Sequence, residues 1–181
     1  MQKNLQKGAR KTSARHCDGR KLHFTEHQSG HRTLKQNCEN MKKYEVGYTQ
    51  GVFDMFHIGH LSLINRAADQ CDRLIVGVNS DALVQEYKNK TPVIDEIDRA
   101  EIIRNLRSVD QVQIVSTLDK VQLWNEFHFD AVFIGDDWKG NDRWKQTEID
   151  LEKYGAEVVY LPHTPQVSST LLRVEVPNRV E

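Results

Sequence analysis

Leu74-Ile75-Val76-Gly77-Val78 is a run without a polar side chain. A strand with one wet face alternates apolar and polar residues. A strand that stays apolar has both faces covered, as in a parallel sheet packed by helices on each side. Shorter β-prone runs stand at 46–49, 112–115, 131–134 and 158–161. Between them lie stretches with helical spacing. Residues 58–70 place Leu61, Ile64 and Ala68 on one face. Asn79-Ser80-Asp81 offers caps for a helix to about residue 87. Residues 95–106 are expected to turn Ile97, Ile102, Ile103 and Leu106 inward. Helices follow at 119–127 and at 143–154, where Gly155 stops the second, and a short one at 168–174. This alternation specifies an α/β fold: a Rossmann-like three-layer sandwich with a five-stranded parallel sheet.

The 181 residues are not uniform. Residues 1–40 hold 9 Lys+Arg and 3 Asp+Glu, which leaves 16 and 23 of the chain's 25 and 26 for residues 41–181. Apart from Met1, their only large apolar side chains are Leu5, Leu22, Phe24 and Leu34, too little burial to offset ordering entropy. Residues 1–40 therefore read as a disordered basic leader before a folded domain at 41–181. His23, His27 and His31 stand four apart, but Gly19 and Gly30 interrupt and no CxxC pair supports a metal site. An acidic core is a poor partner for nucleic acid. No run reaches the length of a membrane span. Cys17, Cys38 and Cys71 suggest no disulfide framework, and the cytoplasm is the natural compartment.

In an open parallel sheet, ligands sit beyond the carboxyl ends of the strands. Three strand-to-helix turns therefore matter. The first is Gly51-Val52-Phe53-Asp54-Met55-Phe56-His57-Ile58-Gly59-His60. A helix N-terminus offers free N–H groups and a positive dipole, Gly59 admits close approach, and two imidazoles can donate to phosphate. The second is Gly135-Asp136-Asp137-Trp138-Lys139-Gly140; it lacks the Lys-Ser/Thr that would make a phosphate-binding loop. The third, from Pro162 to Arg173, opens a short helix with the hydroxyls of Ser168, Ser169 and Thr170.

His57-Ile58-Gly59-His60 spells the HIGH signature of the nucleotidylyltransferase superfamily. Gly-Val-Phe-Asp-Met-Phe-His-Ile-Gly-His resembles the opening of the cytidylyltransferase family, and Gly-Asp-Asp-Trp-x-Gly is similar to its glycerol-3-phosphate branch. Val-Ser-Ser-Thr-Leu-Leu-Arg resembles a motif of the adenylyltransferase branch. The resemblance covers residues 44 to about 174 and none of the leader. It implies that Val52, Phe53, His57, Ile58, Gly59 and His60 bind CTP, His57 and His60 acting as catalytic donors. It implies that Lys88 meets both reactants, Lys90 meets CTP, and Lys120 touches the acceptor phosphate. Asp137 would accept from a cytosine amino group or orient a basic side chain. His163, Thr164, Val167, Ser168, Ser169 and Thr170 would hold the triphosphate. His163 stands where the family has Arg and Gln166 where it has Gly, so Arg173, one helical turn past Thr170, is expected to restore the charge. The segments Asp98-Arg99 and 107–112 resemble the family's helix and dimer contact, which implies a homodimer.

The reaction so implied moves CMP from CTP to glycerol 3-phosphate or a similar small alcohol phosphate, giving CDP-glycerol and pyrophosphate. A phosphate monoester is already largely dianionic near pH 7, so no general base is needed. Mg²⁺ is expected, bound mainly through the CTP phosphates; no protein-bound metal is. An adenylyltransferase on the same fold and a catalytically silent nucleotide-binding module are the rival readings.

Overall fold

The computed structural model describes residues 42–162; the leader and the expected helix at 168–174 lie outside the described residues. The strands are β1 (Tyr44–Gly51), β2 (Cys71–Asn79), β3 (Gln111–Val115), β4 (Ala131–Gly135) and β5 (Glu157–Leu161). The helices are α1 (Ile58–Ala68), α2 (Asp81–Lys88), α3 (Glu96–Arg104), α4 (Lys120–Phe127) and α5 (Asp142–Glu152), with a 3-10 turn at Asp136–Trp138. The sheet runs β3-β2-β1-β4-β5, and every neighbouring pair is parallel. From β1 the chain builds outward through β2 to β3, then returns to build β4 and β5 on the other side. The switch point lies between β1 and β4, where a crevice opens beyond the strand ends.

The two faces follow the period of the strands. On β2, Leu74, Val76 and Val78 join a core layer with Ile64 and Ala67 of α1 and Ala100 and Ile103 of α3. Ile75 joins the opposite layer with Leu123 of α4 and Trp144 and Leu151 of α5. This is the three-layer arrangement that the apolar run demands. No helix among the described residues is long and apolar enough to cross a membrane.

Helix caps set the entry angles. Ser80 accepts from the Leu83 N–H, Asp95 from Ile97 and Asp98, Asp119 from Val121 and Gln122, and Asn141 from Arg143. Helix α3 departs from the expected phase. Ile97 is 63% exposed and Ile102 39%; the inward face is Arg99, Ala100 and Ile103. The helix turns Arg99 inside because backbone carbonyls there satisfy its guanidinium.

Side chains of both neighbouring strands, Cys71 of β2 and Phe133 of β4, close over Gly47 of β1. A Cβ there would lie 2.5 Å from Cys71 Sγ and 2.6 Å from the Phe133 ring. Overpacking of this kind typically costs about 1–3 kcal/mol. Gly47→Ala is expected to lower the urea midpoint accordingly, with an unchanged slope. An unmoved midpoint would show that β1 and its neighbours spread freely.

Candidate active site

The turn after β1 is held in an unfavourable backbone shape. Phe53 and Met55 have φ of 54° and 49°, the left-handed region that bulky residues avoid. Such conformations persist where the surroundings over-determine them. Here the Phe53 ring is buried in the core. The buried Asp54 carboxylate accepts from the Val93 and Ile94 N–H groups at 3.0–3.1 Å. The Val52 carbonyl accepts from Arg99 Nη1 at 2.5 Å.

The turn delivers His57 as the N-cap of α1. Its Nδ1 accepts from the Gly59 N–H at 3.1 Å. That lone pair is used, so the ring hydrogen sits on Nε2 in the neutral imidazole. His60 lies against His57, ring centroids 3.8 Å apart. Phe53 packs edge-on to His60 at 5.4 Å and Phe56 lies 5.7 Å away. Burial first, then the electrostatic influence of His57 and Lys88, push the His60 pKa from 6.5 down to about 4; Asp54 opposes them. His60 is therefore neutral at pH 7, and its buried Nδ1 has no hydrogen-bond partner among the described residues.

Arg99 ties the surrounding loops together. Its side chain has no exposed surface. Besides Val52 it donates to the Ile94 carbonyl at 2.9 Å, the Asn79 carbonyl at 2.9 Å and Asp81 Oδ1 at 2.5 Å. One guanidinium thus fixes the ends of β1 and β2 and the start of α3.

A cavity of about 430 Å³ opens at the switch point. It brings together Val52, His57, Gly59, His60, Lys88, Lys120 and Asp137 from the expected set. Phe53, Ile58 and Lys90 do not line it. Phe53 is in the core, Ile58 is exposed at the head of α1, and Lys90 is exposed beyond α2. His163, Thr164, Val167, Ser168, Ser169, Thr170 and Arg173 lie outside the described residues. Lys120 is almost entirely buried, and its Nζ donates to Gln50 Oε1 at 2.6 Å and the Leu118 carbonyl at 3.0 Å. Burial, then the nearby Arg143 charge, lower its pKa to about 7 against a smaller opposing effect of Asp119. Sequence reasoning missed several wall residues: Gln50, Asn79, Tyr87, Trp138, Arg143 and Trp144. It also missed the roles of Asp54 and Arg99. The one signal available was position, since Gln50 and Asn79 close predicted strands at their carboxyl ends.

Residues 48–175 match the model of the family described as cytidylyltransferase-like. The chain belongs to the cytidylyltransferase-like family. Similar curated relatives are the bifunctional protein HldE of Rhodopseudomonas palustris strain BisA53, 36% identical over 139 residues, and that of Caulobacter vibrioides, 42% identical over 95. The first match covers 75% of this chain and 27% of that protein; the second covers 52% and 20%. The chain thus matches about a quarter of these relatives' length. Among solved structures, a lipopolysaccharide core biosynthesis protein from Thermoplasma volcanium has the same fold, with TM-score 0.57 and 24% identity over 68% of this chain and 99% of that one. A pantothenate synthetase from Thermus thermophilus has TM-score 0.53 and 16% identity over 81% and 68%. These matches establish the family and the fold; they carry no preference for glycerol 3-phosphate.

The buried neutral His60 makes a pH prediction. Between about pH 4 and 6.5 the unfolded chain binds a proton on this ring that the folded one does not. Its contribution to stability is therefore fully present above pH 6.5 and falls as the pH drops through that window. Melting curves of wild type and His60→Gln should converge, or cross, on acidification, because the variant escapes this loss. Parallel curves would mean that the ring is not held neutral by burial.

Proposed function

We propose that the chain transfers a nucleotidyl group from a nucleoside triphosphate to the phosphate of a small polyol or sugar phosphate. The observation that carries this reading is His57, whose Nδ1 is committed to the Gly59 N–H and whose Nε2–H is thereby a fixed donor at a helix N-terminus on the cavity wall. An oxygen of the acceptor phosphate attacks the α-phosphorus. The bond from that phosphorus to the bridging oxygen breaks, and pyrophosphate leaves. His57 and the neutral His60 would stabilise the α-phosphoryl and departing oxygens, and Lys88 would neutralise both reactants. Trp138, exposed on the cavity wall, offers a flat apolar face for a carbon chain or sugar ring.

Mg²⁺ fits as a passenger of the nucleotide. It usually keeps several waters and takes few protein ligands beside substrate phosphates. Among the described cavity residues the donor of suitable chemistry is the Asp137 carboxylate. The metal would supply charge neutralisation on the phosphates.

CTP with glycerol 3-phosphate, giving CDP-glycerol, is the form of the reaction favoured by Gly135-Asp136-Asp137-Trp138. ATP as donor is the second form, favoured by Val167-Ser168-Ser169-Thr170-Leu171-Leu172-Arg173. The cytoplasm and a homodimer complete the reading. Pyrophosphate release should be measured with CTP and with ATP against glycerol 3-phosphate, phosphocholine, phosphoethanolamine and sugar 1-phosphates. One pair should stand out. His57→Ala should then lower its turnover by roughly 10²–10³, the scale for one lost transition-state donor. Tight nucleotide binding without pyrophosphate release on any acceptor would replace this reading with a silent binding module.

A further inference from the structure

Along the cavity wall, polar side chains form a continuous row from Lys120 to Tyr87. Lys120 Nζ donates to Gln50 Oε1 at 2.6 Å. Gln50 Nε2 donates to the Thr117 carbonyl at 2.9 Å and to Asn79 Oδ1 at 2.7 Å. Asn79 Nδ2 donates to the Tyr87 hydroxyl at 3.0 Å. All four side chains in the row touch the cavity.

The direction of this row is dictated by chemistry. The Thr117 carbonyl can only accept and the Lys120 ammonium can only donate, so the two together hold the Gln50 amide in one orientation, its nitrogen toward Thr117. The Gln50 oxygen then faces Lys120, and it also accepts from the Tyr48 hydroxyl at 3.4 Å. The second Gln50 hydrogen needs an acceptor, so the Asn79 oxygen turns toward it and the Asn79 nitrogen toward Tyr87. The Tyr87 oxygen is thereby an acceptor from within, and its own hydrogen must point onward.

The consequence is selective. Gln50 has spent both hydrogens and its oxygen inside the wall, so it cannot read a ligand hydroxyl. What the wall presents is the Tyr87 O–H, with Lys88 Nζ 5.3 Å from the same ring. A hydroxyl held as a donor beside a lysine suits an anionic oxygen. Resting on the transferase reading, we propose that Tyr87 donates to the acceptor phosphate and that Lys120 acts as a positioning residue at the head of a one-way hydrogen-bond row that keeps the Tyr87 hydroxyl facing outward. This differs from the resemblance, which has Lys120 touch the phosphate itself.

The test is a double-mutant cycle on the acceptor. Tyr87→Phe should raise KM for the acceptor about tenfold, the scale of one hydrogen bond to a charged group, with kcat and the nucleotide KM nearly unchanged. Lys120→Met should do much the same. The double variant should be no worse than the poorer single one, since both remove a single contact. Losses that multiply would mean that Lys120 touches the phosphate directly and would overturn the proposal. Should Lys120→Met fail to fold, Gln50→Leu cuts the row at its next link and should behave alike. Calorimetric titration of the full chain with inorganic phosphate separates this inference from the transferase reading. Intact phosphate binding without turnover would sink the transferase reading alone. Phosphate binding indifferent to Tyr87→Phe, or absent from wild type, would sink this one.

Discussion

Arg99 carries a full charge into a place with no exposed surface. Burying an unpaired charge would cost more than a small domain can spare. The cost is offset because three backbone carbonyls and one carboxylate converge on the guanidinium. Only arginine has enough donors, in a rigid enough fork, to reach all four. Each of those acceptors belongs to a segment at the carboxyl edge of the sheet. The rotation of α3, with Ile97 and Ile102 turned outward, follows from the need to bring this side chain inside.

The reacting end of the cavity is built on that frame. A turn with two left-handed bulky residues would not hold its shape in isolation. It is pinned by a ring below, a carboxylate at the side and the Arg99 clamp behind. The result is an imidazole whose tautomer is chosen by the protein. A second imidazole, stacked on the first, is kept neutral above all by its burial. Precision at His57 is therefore a property of residues far from it in sequence, Arg99 above all.

The sheet was legible because residues 74–78 of β2, a strand with a neighbour on each side, have no polar face, and a parallel sheet packed by helices covers both faces. The HIGH turn was legible because its spacing names its chemistry. The phase of α3 was not, since its apolar residues lie nearly all round the helix and hydrophobic pattern alone cannot rank them. What decided the phase was Arg99, whose partners come from three separate segments. Tyr87 escaped for a similar reason. It stands in sequence beside Lys88, a more obvious candidate, and its role depends on a chain of amides that converge only after folding. Positions 163–173 remain sequence expectations.

The strand order also governs the sequence of assembly. Among the described residues β1 is the first strand made and the central one, bonded to β2 on one side and to β4 on the other. The Thr49 hydroxyl bonds to the Phe133 carbonyl across 84 positions. Closing so long a loop is entropically slow relative to the local β1-α1-β2 unit. On the ribosome, the half of the crevice with the two histidines is complete while the opposite rim is still unmade. Until β4 emerges, β1 holds an open, two-faced apolar edge, the kind of surface on which other chains nucleate. The architecture that places the chemistry at the centre of the sheet therefore leaves that centre exposed longest during synthesis.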